Sequence, residues 1–220
     1  MHVTRAIAAM LGIMLLTMST GDSRGRTPSE ATEPGYLSPG AAGFHHCALI
    51  YERPSRTADD LMPYVVRGDS GRPREWLFDA FLFLRFSMPS GARTDEGPTT
   101  WQDWLKHLDD WFARARDLHA LDEAIERASA ALGEPPTPRN VMLSIPYPNR
   151  SVTDFGLAIE GRPVNLSTEE GVARAVRAYV SEASRRFESA GFLHLRLWGF
   201  YWMREEISPS DEARVRAAAG

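Results

Sequence analysis

Between Phe44 and Gly220 the sequence alternates four times between a short apolar run and a stretch with helical spacing. That alternation limits the fold more than any single motif. The runs are Phe44 to Tyr51, Asp79 to Phe86, Val141 to Ile145 and Leu193 to Trp202. They are apolar at successive positions, as strands buried on both faces are. Strand–helix alternation of this kind implies a parallel sheet covered by helices. A closed (β/α)8 barrel needs eight strands and typically about 250 residues. The expected fold class is therefore α/β: the N-terminal half of a (β/α)8 TIM-type barrel, with four parallel strands in chain order and helices on the outer face. On this reading the domain stops after its fourth βα unit.

The helical stretches carry their own boundary signals. Thr57 and Asp60 can form a capping box for a short helix through Leu61, which Pro63 should stop. Tyr64 to Phe78 reads as a small hairpin turning at Asp69-Ser70-Gly71. Thr100 and Asp103 form a second capping box. Trp101, Trp104, Leu105, Leu108, Trp111 and Phe112 then recur at helical spacing, as a stripe packed on a sheet would. Leu118 to Leu132 continues as a second helix and ends at Gly133. Ser167 and Glu170 predict a third capping box, and Gly191 the C-terminal cap. Pro209 falls at the first position of a last helix after Ser208. Asn149-Arg150-Ser151 and Asn165-Leu166-Ser167 match the glycosylation sequon, a weak signal here.

Strand parity gives a finer expectation. In the second run Ala80, Leu82, Leu84 and Phe86 form the all-apolar side and should pack on helices. Asp79, Phe81, Phe83 and Arg85 should then face the barrel interior, with Asp79 near His194 or Arg196. In the fourth run Trp198, Phe200 and Trp202 share the inward parity of His194 and Arg196.

Ahead of the barrel lie two segments of other character. Residues 1–21 read as a signal peptide: Arg5 supplies the positive region, Ala6 to Met18 the apolar core, and Ser19, Thr20 and Gly21 the small residues. The apolar core is too short to span a bilayer, so no membrane span is expected after cleavage. Residues 22–43 are rich in Gly, Pro, Ser, Thr and Glu and read as a disordered linker. Residues 44–220 form the barrel domain. The expected location is secreted or cell-surface.

Composition excludes several function classes. The 220 residues carry a formal net charge of −4, which gives no electrostatic footprint for nucleic acid. Cys47 is the only cysteine, so no internal disulfide forms, and it reads as a small buried residue. His45 and His46 are adjacent, so on a strand they point to opposite sides and cannot share one metal. No metal site and no cofactor are expected. There is no Gly-x-Ser-x-Gly elbow, phosphate loop or dinucleotide fingerprint.

Several motifs occur in a fixed order: Tyr51, Leu61 to Tyr64, Trp76 to Leu84, Leu143 to Pro148, Asp154-Phe155-Gly156 and Gly199 to Trp202. Together they resemble the bacterial exported family of unknown function numbered 4855. The resemblance covers about residues 44–207. It implies a glycoside-hydrolase-like barrel and, as substrate class, a polysaccharide or oligosaccharide. It brings no assigned catalytic residues. Glu205 stands where the family pattern has a glutamate after its Gly-Phe-Tyr-Trp. The family pattern continues with further strands, which is what suggests a truncated barrel here.

Glycosidases usually use two carboxylates about 5–10 Å apart, one protonated to donate to the leaving oxygen. The carboxylates that follow strands are Glu52, Asp154, Glu205 and Glu206. Glu205 is the catalytic candidate, because it follows the aromatic cluster ending at Trp202 and matches the family position. Tyr147, Trp202 and Asp154 are the substrate-binding candidates. Glu206 reads as a solvated neighbour and Glu52 as a partner of Arg53. The expected function is glycoside-hydrolase-like acid/base catalysis on a polysaccharide. The alternatives are a non-catalytic carbohydrate-binding barrel and an inactive fragment of such an enzyme. The sequence leaves the oligomeric state open.

Overall fold

The computed structural model describes residues 38–51, 55–69, 72–88, 90–135, 137–204, 211–213 and 215–216. Residues 1–37, which include the expected signal peptide and most of the expected linker, lie outside the described residues, as do Glu52, Glu205, Glu206 and Ser208-Pro209-Ser210. At the linker's end Ser38 caps a single turn, α1 (Pro39–Ala42), and Gly43 closes it in the left-handed region at φ 76°. The elements that follow are β1 (Cys47–Tyr51), α2 (Ala58–Val65), β2 (Val66–Asp69), β3 (Arg72–Trp76) and β4 (Ala80–Leu84). Then come α3 (Trp101–Trp111), α4 (Asp117–Leu132), β5 (Arg139–Ile145), β6 (Ala158–Ile159), β7 (Arg162–Pro163), α5 (Glu169–Ala190) and β8 (Leu195–Trp202).

β1, β4, β5 and β8 form one four-stranded sheet in that order, and every neighbouring pair is parallel. The expected strand order and sense are therefore present. β2 and β3 make the expected hairpin, which starts at Val66, two residues later than its apolar pattern begins.

One face of the sheet carries nearly all of the buried core. Ala48, Ile50, Phe81, Phe83, Val141, Leu143, Ile145 and Leu195 pack there with side chains from α2, α3, α4 and α5. The opposite face holds only a small cluster around Ala80, Leu82, Leu84, Met142 and Met203. Parallel sheets are normally covered on both faces by helices, except where the sheet curls into a barrel and the inner face is closed by its own strands. The one-sided coverage is consistent with a partial (β/α)-type barrel.

The parity expectation is overturned in β4. Phe81 and Phe83 face the helices, whereas Ala80, Leu82 and Leu84 face inward. Size explains the inversion. The layer between sheet and helices is wide enough for Phe83 to meet Trp111 edge-on at 6.4 Å. The polar ends of this strand find partners elsewhere. Asp79 accepts the backbone N–H groups of His45 at 2.8 Å and His46 at 2.7 Å, and approaches Nδ1 of His45 at 3.1 Å. It is not paired with His194 or Arg196. His194 instead lies 3.4 Å from Glu134, and Arg196 donates to Asn140 Oδ1. Arg85 is buried on the helix side, where its Nη1 donates to Asp110 of α3 at 2.6 Å.

Two helix signals also resolve differently from expectation. α2 runs through Pro63 to Val65. The proline removes one N–H from the ladder, but both Pro63 and Asp59, whose carbonyl loses its partner, are exposed, so water can replace the bond. α5 is capped by Thr168, whose hydroxyl accepts the N–H of Gly171 at 3.0 Å. Ser167 is occupied upstream: its N–H and hydroxyl both bond Asn165 Oδ1, at 2.8 and 2.7 Å. Asn149 and Ser151 repeat the same turn. Both sequon matches are thus Asx turns. The capping boxes at Thr57–Asp60 and Thr100–Asp103 form as expected.

Candidate functional site at the C-terminal ends of the strands

In parallel barrels and open parallel sheets ligands meet the C-terminal ends of the strands. Here those ends are Tyr51, the loop from Arg85 to Ser87, the loop from Pro146, and Trp202-Met203-Arg204. The N-terminal end is closed. Below the inner face Asn140 donates to Gly43 O at 3.0 Å and accepts from Arg196, while Phe44 packs edge-on against Trp198 at 5.5 Å.

The pairing of β5 and β8 slips by one residue between Val141 and Met142: Val141 lies opposite Leu197, but Met142 lies opposite Gly199. A bulge of this kind inserts one unpaired residue and reverses the facing of everything beyond it. Trp198 faces inward with Phe44, Leu82 and Met142. Phe200 and Trp202, beyond the bulge, belong to the helix-side core, and Tyr201 faces inward. The expectation that Trp202 shares the parity of Trp198 is corrected by this slip.

Tyr147 and Trp202 do end adjacent strands side by side, with ring centroids 6.2 Å apart and planes at 86°. Only 5 % of Tyr147 and 7 % of Trp202 remain exposed. The Tyr147 ring is enclosed by charge as well. Arg204 lies with Cζ 4.7 Å above it, and the hydroxyl donates to Asp211 Oδ2 at 3.3 Å. Asp211 is buried and also accepts from Arg150 Nη2 at 2.9 Å. Asp211 was not among the candidates read from the sequence. The signal for its role is distant: Arg150 and Asp211 are 61 residues apart, and only the fold joins them.

Asp154 is exposed in the loop after β5, and its Oδ1 accepts the N–H of Gly156 at 3.0 Å. That is the turn-capping geometry of an Asx turn. The next residue, Phe155, is fully buried between Trp101 and Trp104 and pins this loop to α3. Glu205 follows Arg204 directly in the chain but, like Glu52 and Glu206, lies outside the described residues.

Two inward-facing aromatics at this end were passed over as site residues. Tyr51, the last residue of β1, and Phe86, two residues beyond β4, stack with centroids 5.8 Å apart and planes at 18°. They are exposed by 48 % and 42 %. Strand parity alone would have found them, had the facing of β4 been read correctly.

The family described as Domain of unknown function (DUF4855) matches the sequence over residues 48–220. The chain belongs to that family. No curated protein and no solved structure matches it. Among the described residues, no three His, Cys, Asp or Glu side chains gather to hold a metal ion, and no helix is long and apolar enough to cross a membrane.

Proposed function

We propose that the DUF4855 chain is an exported, glycoside-hydrolase-like protein that acts on a polysaccharide or oligosaccharide by acid/base catalysis. The observation that carries the proposal is the clustering of aromatic residues at the C-terminal ends of a one-sided parallel sheet, in a strand that ends three positions before the carboxylate pair Glu205-Glu206. Glu205 is the general acid in this reading. A carboxyl beside aromatic surface loses hydration, stays protonated to higher pH and can donate to a leaving oxygen. Tyr147 and Trp202 pack side by side behind that strand end, and Asp154 supplies the rim of the neighbouring loop. Asp211 adds a buried carboxylate six positions on from Glu205. It is held by Arg150 Nη2 at 2.9 Å and by the Tyr147 hydroxyl at 3.3 Å.

The test is polysaccharide hydrolysis by the wild-type chain and by Glu205→Gln. Loss of an acid catalyst lowers turnover by about 10²-fold or more. Unchanged turnover in the variant removes Glu205 from the mechanism. The exposed Tyr51–Phe86 pair also favours a second reading, a carbohydrate-binding barrel without turnover. Retention on a glycan with no release of reducing ends would select it. Export is tested separately, by N-terminal sequencing of secreted protein for cleavage near Gly21.

A further inference from the structure

We propose that Tyr51 and Phe86 form a sugar-binding platform that stacks on a pyranose ring of the polysaccharide; the inference rests on the glycan-acting reading above. Four large hydrophobic residues are exposed among the described residues; Leu49 and Tyr51 share the side of β1 opposite the core residues Ala48 and Ile50, and Phe86, two residues beyond β4, stacks on Tyr51. The two aromatic ones sit together at the strands' C-terminal ends. Their planes are near-parallel and both rings are nearly half exposed, unlike the edge-on contacts of the buried Trp104 with Phe155 and Tyr179. A pyranose ring has one face of axial C–H groups that matches such a surface. Its equatorial hydroxyls meanwhile remain at the edge, in water.

The platform is held in shape before any ligand arrives. Tyr51 lies in register with Leu84, and its carbonyl accepts from Arg56 Nη2 at 3.2 Å. Phe86 is fixed by the N–H of Thr94, which donates to its carbonyl at 3.2 Å, while the Thr94 hydroxyl bonds the carbonyl of Arg85. Each ring also restrains the other. Preorganised aromatic surface of this kind costs little conformational entropy on binding.

Area argues against a second copy of the chain as the occupant. A large side chain exposed by about half offers roughly 100 Å². Leu49, Tyr51 and Phe86 together offer about 300 Å², whereas a stable protein interface buries about 800 Å² on each partner. A patch of this size suits one or two sugar rings.

The experiment is affinity electrophoresis of the full chain in gels cast with xylan, mixed-linkage β-glucan, galactomannan or α-1,6-glucan. Wild type is compared with Tyr51→Ala, Phe86→Ala, Tyr51→Phe and Leu193→Ala, each checked for folding by circular dichroism. The platform predicts retardation of wild type by at least one glycan and a loss of about tenfold or more in affinity for each of the two platform alanine variants. Tyr51→Phe, which keeps the ring, and Leu193→Ala, exposed elsewhere, stay within about threefold of wild type. Equal retardation of wild type and the two platform variants overturns the platform and leaves the glycan-acting reading standing. Folded wild type that no gel retards overturns both. A wild-type dimer in sedimentation that Phe86→Ala dissolves, with glycan retention unaffected, assigns the patch to self-association and also overturns the proposal.

Discussion

Trp104 is the residue whose removal should report most directly on how the loop after β5 is held. It is fully buried, and it meets Phe155 edge-on at 4.9 Å and Tyr179 at 5.4 Å. Its Nε1–H donates to the buried Thr99 hydroxyl at 2.8 Å. Replacing a buried Trp by Ala costs about 3–5 kcal/mol in transfer and cavity terms. Both edge-on partners are lost with the ring, so the upper part of that range is expected, about 4–5 kcal/mol. Trp104→Phe keeps a ring between the same neighbours. It loses the hydrogen bond, worth about 1 kcal/mol, and part of the volume, so about 2–3 kcal/mol is expected. Against a total stability of roughly 5–15 kcal/mol, the alanine variant is marginal and the phenylalanine variant folded. Urea unfolding followed by circular dichroism measures both. If the two variants lie within about 0.5 kcal/mol of each other, ring packing is not what holds Trp104, and the account of this loop fails. A cost below about 1 kcal/mol for Trp104→Ala would refute it outright.

Three further outcomes follow from particular contacts. A Cβ on Gly171 would stand 1.7 Å from the carbonyl oxygen of Asn165, so Gly171→Ala must displace the start of α5; a loss of about 2–3 kcal/mol in urea unfolding is expected, and a neutral result would show the helix start is loosely held. Burial pushes the Cys47 thiol up to about 12, with the Asp79 carboxylate adding to the effect and a backbone hydrogen bond from Leu82 opposing it. At pH 8 the folded thiol should therefore react with iodoacetamide on the order of 10³-fold more slowly than in denatured chain, and equal rates would contradict the burial. His107 is held well below its ordinary value by burial and then by the Arg85 charge, facing Tyr179 and Trp111 in the core. The unfolded chain takes up the proton first, so this contribution to stability is complete above about pH 6.5 and is lost as pH falls below it, with a slope of up to about 1.4 kcal/mol per pH unit. His107→Leu should flatten the stability profile between about pH 6.5 and 5, and an unchanged slope would place the titration elsewhere.

The fold was largely legible because its signals are local. Runs apolar on both parities and boxed helix starts at Thr57 and Thr100 specify strands and helices within windows of a few residues, and four βα units then leave few topologies. What failed were choices that depend on partners far along the chain. Arg85 and Asp79 made one side of β4 look polar. Yet Arg85 is paired with Asp110 of α3 and Asp79 is satisfied by the backbone N–H groups of His45 and His46, so polarity did not mark the interior. The width of the helix layer, which takes Phe81 and Phe83, decided the facing instead. Ser167 and Glu170 had the spacing of a capping box, but the Asn165 side chain captured the serine and shifted the cap to Thr168.

The site was less legible because one inserted residue controls it. A strict alternation through Leu197, Trp198, Gly199, Phe200, Tyr201 and Trp202 puts Trp198, Phe200 and Trp202 on one face. The slip opposite Val141 and Met142 separates them: Trp198 stays inward, and Phe200 and Trp202 turn to the helices. Glycine at position 199, just past the unpaired Trp198, is the one local hint, since a glycine inside a strand often marks a bulge. The consequence reaches the chemistry. With Trp202 turned outward to meet Tyr147, the inward aromatic surface at the strand ends passes to Tyr51 and Phe86 on the other side of the sheet. A ligand stacked on that pair would then lie at the β1 edge of the sheet, with Tyr201 and Met203 on the same inner face nearer its β8 edge. Deleting Trp198 would remove the bulge yet keep Gly199 to Trp202 opposite Met142 to Ile145, so Phe200 and Trp202 should stay on the helix side. It would take away the inward ring that packs against Phe44, so the deletion should cost stability while leaving the facing of the strand's end unchanged.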